Sequence, residues 1–407
     1  MHVVMFADQH VESLGGAQVS MRLQKRFLER AGHVVTVVAP RLHRPAAHDA
    51  SYLDLVSLPI TVDREYALTW PGARTDRFLD AEMGARLPVD VVHVQADFWG
   101  AFIGHRYAKR HGLPVVHTMH NRVDVGIEAT APFPGLVLRA LNAWARRALP
   151  RGGSVPEAGR GSAAAGRGID GWAYLRQLAA LSRAVTAPSA HFARRLERHG
   201  VAPSVDVIWN GIDDDALDAA LAAGPTERRP GRPRFVWLGR MSPEKRLLPF
   251  LEAVVESRID AEVEIIGGGG QLRAAQRLVE RGAPVASVAF AGRLSYAETL
   301  RRLADADAVV QTSIGFETQG MTVFEAASLG TPAVVSDPDI GAELGAGTWT
   351  VPDATVAALA QTLRRAAVDI AAGSPVTPDA SVAERFRQSS RTAAMVAVYE
   401  RAVAAGR

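Results

Sequence analysis

Cysteine is absent from the sequence, which removes disulfides, thiolate metal sites and cysteine nucleophiles and leaves the scaffold to packing alone. Long apolar runs are missing too. No stretch approaches the roughly 18 consecutive apolar residues of a spanning helix. The start, Met1-His2-Val3-Val4-Met5-Phe6, has no basic region ahead of a long apolar one. Neither sign of charge dominates: 46 Lys and Arg stand against 43 Asp and Glu, a net of +3. No charge run calls for a nucleic-acid partner, although a pI near 9.4 leaves room for a basic face toward an anionic one. These absences read as a cytoplasmic protein. What is present is an ordinary globular composition, 48% hydrophobic and 22% charged over 407 residues, enough for two or three domains with substantial cores.

Short runs rich in valine and isoleucine recur along the chain, each followed by a longer segment with helical spacing, the mark of parallel strands joined by helices. The first series predicts strands at Val3–Phe6, Val34–Ala39, Val91–Val94, Val115–Thr118, Val185–Ala187 and Val205–Ile208, with a helix over Val19–Ala31. The second predicts strands at Phe235–Leu238, Val263–Ile266, Val288–Ala291, Ala308–Gln311, Ala333–Ser336 and Trp349–Val351, with helices such as Leu247–Ser257 and Tyr296–Ala304. The fold class is α/β, with two doubly wound Rossmann-like domains. Their expected limits are 1–222 and 234–380, joined by a linker over 223–233 whose prolines and glycines continue neither helix nor central strand. A final helix over 381–407 either covers the second sheet or returns to the first domain. Residues 151–170, small, polar and aperiodic, read as a mobile insertion. Just before it, Phe133, Leu136, Val137, Leu141, Trp144 and Ala148 fall near one helical face, with Arg139, Arg146 and Arg147 close by. Such a helix either packs on the first sheet or rests on an anionic membrane, as at the inner face of a plasma membrane.

Three segments carry chemistry. Leu14-Gly15-Gly16-Ala17-Gln18 leads into the first helix, where free amides and absent side chains admit an anion or a sugar; a paired glycine there also serves simple turn geometry. Gly239-Arg240-Met241-Ser242-Pro243-Glu244-Lys245-Arg246 ends a strand with spaced cations, suited to a diphosphate, and otherwise reads as a solvated loop. In Ser313–Ala326, Glu317 precedes a helix and Glu325 lies within it. Amides from Gln319 to Thr322 are placed to meet a ligand at the helix start, and Glu325 to accept hydrogen bonds from vicinal hydroxyls, unless a neighbouring cation or amide satisfies it structurally.

The order of these motifs, with Asn210-Gly211-Ile212-Asp213, the Ile266–Gly270 glycine run and Gly292-Arg293-Leu294 between them, resembles that of the retaining glycosyltransferases of family four, the glycogen-synthase-like group with the GT-B fold. The resemblance covers nearly the whole chain. It implies that a nucleoside-diphosphate sugar binds mainly to the second domain and a hydroxyl acceptor mainly to the first, with two domains facing a central cleft. Arg240 and Lys245 would hold the diphosphate, Glu325 the ribose hydroxyls, and Arg293 and Leu294 would flank the base. Glu317 with Thr318, Gln319, Gly320, Met321 and Thr322 would meet the transferred sugar. Gly16, Gly239 and Gly268 would line the donor, and Gly15, Gly16 and Gln18 the acceptor. His120 matches the family's active-site histidine, standing beyond a strand end, whereas His117 reads as strand-buried. Two departures are Trp209, where proline is common, and Arg246, where glycine is usual; a third cation at Arg246 would help to neutralise the diphosphate. Asp213-Asp214-Asp215 has the look of a metal motif but lies in a linker approach, and the family uses no metal, so no cofactor is expected.

By the same resemblance the reaction moves a hexosyl group to the acceptor with retention, the acceptor proton passing to a departing phosphate oxygen. The acceptor is open between free sugars, glycosides and lipids, the basic amphipathic segment suiting a lipid-linked one. Two rivals share the architecture: a sugar-nucleotide epimerase, and a nucleotide-sugar-binding protein without turnover.

Overall fold

A computed structural model describes residues 1–13, 16–45, 49–150, 170–224 and 231–405. The expected insertion at 151–170 lies, but for its last residue, outside the described residues, as do the middle of the expected linker and Gly15. The chain divides into two compact units, Met1–Gly211 with Arg391–Arg407, and Ile212–Ser390.

The first unit is built on strands β1 (His2–Ala7), β2 (Val34–Pro40), β3 (Tyr52–Leu55), a small antiparallel pair β4 (Leu58–Pro59) and β5 (Ala67–Leu68), then β6 (Val91–Gln95), β7 (Val115–Thr118), β8 (Ala184–Ala187) and β9 (Asp206–Val207). Seven form one parallel sheet in the order β3-β2-β1-β6-β7-β8-β9. Side chains alternate across it: Val4 and Phe6 enter one core with Phe102 and Tyr174, while Val3 and Met5 enter another with Met21 and Leu28. The second unit repeats the plan with β10 (Arg234–Arg240), β11 (Glu262–Gly268), β12 (Ser287–Gly292), β13 (Ala308–Gln311), β14 (Ala333–Val335) and β15 (Thr348–Thr350), ordered β12-β11-β10-β13-β14-β15. Phe235 and Trp237 pack to one face of β10 and Val236 to the other. In each sheet the order reverses beside the first strand, and the crevice at that reversal is where open α/β sheets take ligands.

Two boundaries differ from expectation. The division falls at Gly211/Ile212, because Asp214–Ala223 forms a helix whose Ala216 and Ala220 pack on the second unit's core. The expected final helix breaks at Arg387 into Ser381–Phe386 and Gln388–Ala404. There the backbone turns extended and pairs with Ile212, which donates to the Phe386 carbonyl at 2.7 Å and accepts from Gln388 N–H at 2.8 Å. From Arg391 onward the helix belongs to the first unit, where Met395, Val398, Tyr399 and Ala402 are buried. The sequence reading also omitted β3, a short strand of mixed residues Tyr52-Leu53-Asp54-Leu55.

Candidate active site

In the second unit the cations stand at the end of β10, on the reversal between β10 and β13. Trp237 Nε1 donates to Thr312 Oγ1 at 2.9 Å and Thr312 donates to the Lys245 carbonyl at 2.7 Å, so a buried indole fixes the backbone that carries the lysine. Lys245 Nζ forms an ion pair with Glu317 Oε1, which also accepts from Ser313 Oγ at 2.9 Å. Arg240 lies outside this pair. Its guanidinium is largely exposed and meets Glu244 at 3.2 Å, Glu244 being held in turn by Ser242. Both cations are thus countered by carboxylates of their own unit, in a half-exposed setting where such pairs are weak and exchangeable.

Arg246 does not join them. It sits in the left-handed region at φ 54°, and its guanidinium donates to the Ala354 carbonyl at 2.7 Å, so the expected third phosphate cation is engaged elsewhere. The positive φ is the physical ground for glycine at such a position.

The glycine run is required by close approach. A Cβ on Gly267 would lie 2.0 Å from the Gly239 carbonyl oxygen, and Met241 N–H donates to the Gly268 carbonyl at 2.9 Å, locking β11 to the strand end that bears Arg240. Arg293, exposed, runs past Gly268, and Leu294 is half-buried against the second unit's core. Gly320, at φ 80°, starts the helix Met321–Ser328, so the amides of Met321 and Thr322 have no acceptor within it. Thr318 is half-buried and Gln319 buried in the preceding loop. One turn into the helix, Glu325 is buried and accepts from Tyr296 Oη at 3.1 Å. Burial pushes its carboxyl up to about 7, with the Tyr296 hydrogen bond pulling the other way. Tyr296 went unnoticed in the sequence, where nothing ties the start of its helix to Glu325, 29 residues further on. Asp213 accepts from Asp215 N–H as a helix cap and Asp214 binds Ser389, so two carboxylates of that acidic run have structural partners.

In the first unit His120 follows β7 and is half-buried, its Nε2 3.2 Å from Gln95 Oε1. Burial holds its pKa below the usual imidazole value, with Asp97 opposing and His117 assisting. His117 is wholly buried in β7, bound to the Ala96 carbonyl at 2.9 Å. Gly16 opens the helix Gly16–Arg30 and is exposed; Gln18, in its first turn, is half-buried. Sequence reasoning missed Asp8 at the end of β1. Its oxygens accept backbone N–H bonds from Asp97, Phe98 and Gly100, tying β1 to the start of the helix Trp99–His111. Burial first, then Asp97, pushes Asp8 up to about 7 against the pull of those three amides.

Two family models match the chain, one in each unit: "Glycosyltransferase Family 4" over residues 14–155 and "Glycosyl transferases group 1" over 232–369. The chain belongs to the family-4 type of GT-B glycosyltransferases. Among curated relatives, it is 23% identical over 352 residues to the alpha-monoglucosyldiacylglycerol synthase of Streptococcus pneumoniae, 82% of this chain and 70% of that protein. It is 26% identical over 353 residues to the GDP-mannose-dependent alpha-mannosyltransferase of Mycolicibacterium smegmatis, 83% and 80% of the two chains. Of solved structures, sucrose-phosphate synthase from Thermosynechococcus elongatus shares the fold with TM-score 0.69 at 16% identity, covering all of both chains. HepE of Anabaena in complex with UDP does so with TM-score 0.67 at 14% identity, over 98% of this chain and 100% of that one.

Proposed function

We propose that this glycosyltransferase moves a hexosyl group, with retained configuration, from a nucleoside-diphosphate sugar to the hydroxyl of a lipid-linked acceptor at an anionic membrane, and needs no metal to do so. The observation that carries the donor half is the Lys245–Glu317 pair at the strand end, with Glu317 in the loop that leads to the helix-start amides of Met321 and Thr322, which have no acceptor within their helix. A diphosphate brings the charge that releases Lys245 from Glu317, and the freed carboxylate is then available to sugar hydroxyls. As the anomeric C–O bond breaks, its electron pair goes to the phosphate oxygen, where Arg240 and Lys245 stabilise it. The acceptor hydroxyl bonds to the anomeric carbon from the same face and gives its proton to that oxygen. His120, neutral, serves the sugar by hydrogen bonding, and Gly16 and Gln18 border the acceptor.

Support for a lipid acceptor comes from the helix Pro134–Ala148. Leu138, Leu141, Ala145 and Ala148 pack inward, which takes part of the expected amphipathic face into the core. Phe133 and Leu136 remain 67% and 62% exposed, Trp70 stacks on Trp144 while 67% exposed, and Arg139, Arg146 and Arg147 are exposed beside them. Exposed apolar side chains on a helix that also bears exposed cations are what an anionic lipid surface binds. The S. pneumoniae relative is named for a glucosylated diacylglycerol.

The test is nucleoside-diphosphate release from a panel of UDP- and GDP-sugars, with and without vesicles carrying diacylglycerol or phosphatidylinositol, in chelator. Release that requires one donor and a lipid, with an α-linked product, is expected. Isomerised donor without transfer, or donor binding without release under every condition, would replace this reading with an epimerase or a binding protein.

A further inference from the structure

Behind His120 the first unit holds a polar chain that the reaction leaves unassigned. Gln95, buried at the end of β6, has Nε2 2.5 Å from Gln24 Oε1 and 3.3 Å from His93 Nδ1, and Oε1 3.2 Å from His120 Nε2. His93, wholly buried, has Nδ1 2.7 Å from Tyr399 Oη and Nε2 2.7 Å from Thr118 Oγ1, which lies 2.6 Å from Thr186 Oγ1. Tyr399 comes from the C-terminal helix and is wholly buried.

One placement of hydrogens suits the Gln95 amide as it stands. Burial, with His120 and His117 assisting, keeps His93 neutral, so its ring carries a single N–H. The Gln95 amide nitrogen faces Nδ1 at 3.3 Å while donating to Gln24 Oε1 at 2.5 Å, so a hydrogen on Nδ1 would meet the amide hydrogens there. With the hydrogen on Nε2, the ring donates to Thr118, Thr118 donates to Thr186, and Tyr399 donates to Nδ1 with the Gln95 amide as a second, longer donor. On its other side the Gln95 carbonyl faces His120.

We infer that Gln95, oriented by Tyr399 through His93, is a positioning residue that holds His120 as the Nε2–H tautomer and so leaves Nδ1 to accept from a substrate hydroxyl. The inference rests on the reading of His120 as a residue at the transferred sugar. It gives the C-terminal helix a task in the first unit besides packing, since the helix supplies the hydroxyl that sets the chain.

The experiment is histidine nitrogen NMR on the full-length protein, with His120 assigned by its loss in His120→Asn. The wild type is expected to show His120 protonated at Nε2. Tyr399→Phe and Gln95→Leu should each give a mixture of tautomers. They should also lower kcat roughly 10- to 100-fold, as loss of an outer partner of a working imidazole does, with donor KM within about twofold. Tyr399→Phe keeps the test open should Gln95→Leu not fold. A wild-type His120 protonated at Nδ1, or an unchanged pattern in Tyr399→Phe, would overturn the inference. Altered tautomers with unaltered kcat would instead overturn the reading of His120 on which it rests.

Discussion

Two carboxylates of the second unit have opposite relations to the protein around them, and substitutions should separate them. Lys245 and Glu317 are half-exposed and paired, so removing the cation costs little folding energy. Lys245→Ala should lower transfer roughly 100-fold or more, as loss of a transition-state cation does, with nearly unchanged Tm; full activity in this variant would remove the phosphate role. Glu325 is buried, and its carboxyl stands at about 7 where an ordinary glutamate stands at 4.5. The folded state therefore holds this proton more tightly than the unfolded chain. The stability it contributes is whole below pH 4.5 and is lost as pH rises through 7, about 3 kcal/mol for a shift of this size. Glu325→Gln should lessen the fall of the second unit's stability across pH 5–8 and raise that stability at pH 8, the first unit keeping the fall that Asp8 imposes, while weakening donor binding, because an amide accepts ribose hydroxyls at one oxygen only. Chemical denaturation and donor titrations over that range check both. Stability that falls equally in the two proteins would show that the carboxyl is not the titrating group. The sequence pointed to Glu325 by its carboxylate in an apolar helix, but the donor that meets it, Tyr296, lies on another helix and becomes a neighbour through the fold alone.

At the scale of elements, most strands were legible because parallel strands buried on both faces are nearly continuous runs of valine and isoleucine, and the helix Leu247–Ser257 was placed to the residue. What escaped was structure held by tertiary pairing: β3 joins the sheet through β2 although it is only four residues long and interrupted by Asp54, and the break at Arg387 exists because Ile212 pairs there. Backbone geometry was legible only through glycine, and Arg246 hid the left-handed turn after Lys245. Arg246→Gly should relax a strained φ and hold or raise stability by up to about 1 kcal/mol with transfer retained. A large loss of activity would return this guanidinium to the phosphate site. Gly267→Ala sets a new Cβ against a carbonyl of the neighbouring strand and should cost about 2 kcal/mol or more. A variant as stable as the wild type by denaturant titration would show that the β10 and β11 ends can part. The apolar tip at Phe133 and Leu136 needs its cations if it binds lipid. Replacing Arg139, Arg146 and Arg147 with glutamine should abolish co-sedimentation with anionic vesicles and leave folding intact, and binding indifferent to this change or to anionic lipid would remove the membrane from the reading.

For the molecule as a whole, the two sheets have separate cores, and the chain enters the first unit twice. Its last segment is not an appendage: Met395, Val398, Tyr399 and Ala402 share a core with β1 and β2, Arg401 meets Asp206 at 2.9 Å, and the Arg391 guanidinium lies over Trp209. Separate cores predict two unfolding transitions in calorimetry, and the C-terminal segment should act on one of them. A nucleoside diphosphate identifies the other, since a ligand held by the second unit raises only that unit's transition. Deleting residues 391–407 should then lower the transition that the nucleotide does not move, and Tyr399→Ala should destabilise it by about 3 kcal/mol or more, as removal of a wholly buried aromatic ring does. The nucleotide-responsive transition should stay where it was in both variants. If deletion left both transitions in place, the segment would be packing without weight in the first core. If the nucleotide raised the transition that the deletion lowers, the phosphate site would belong to the first unit, and the assignment of Arg240 and Lys245 would fall with it.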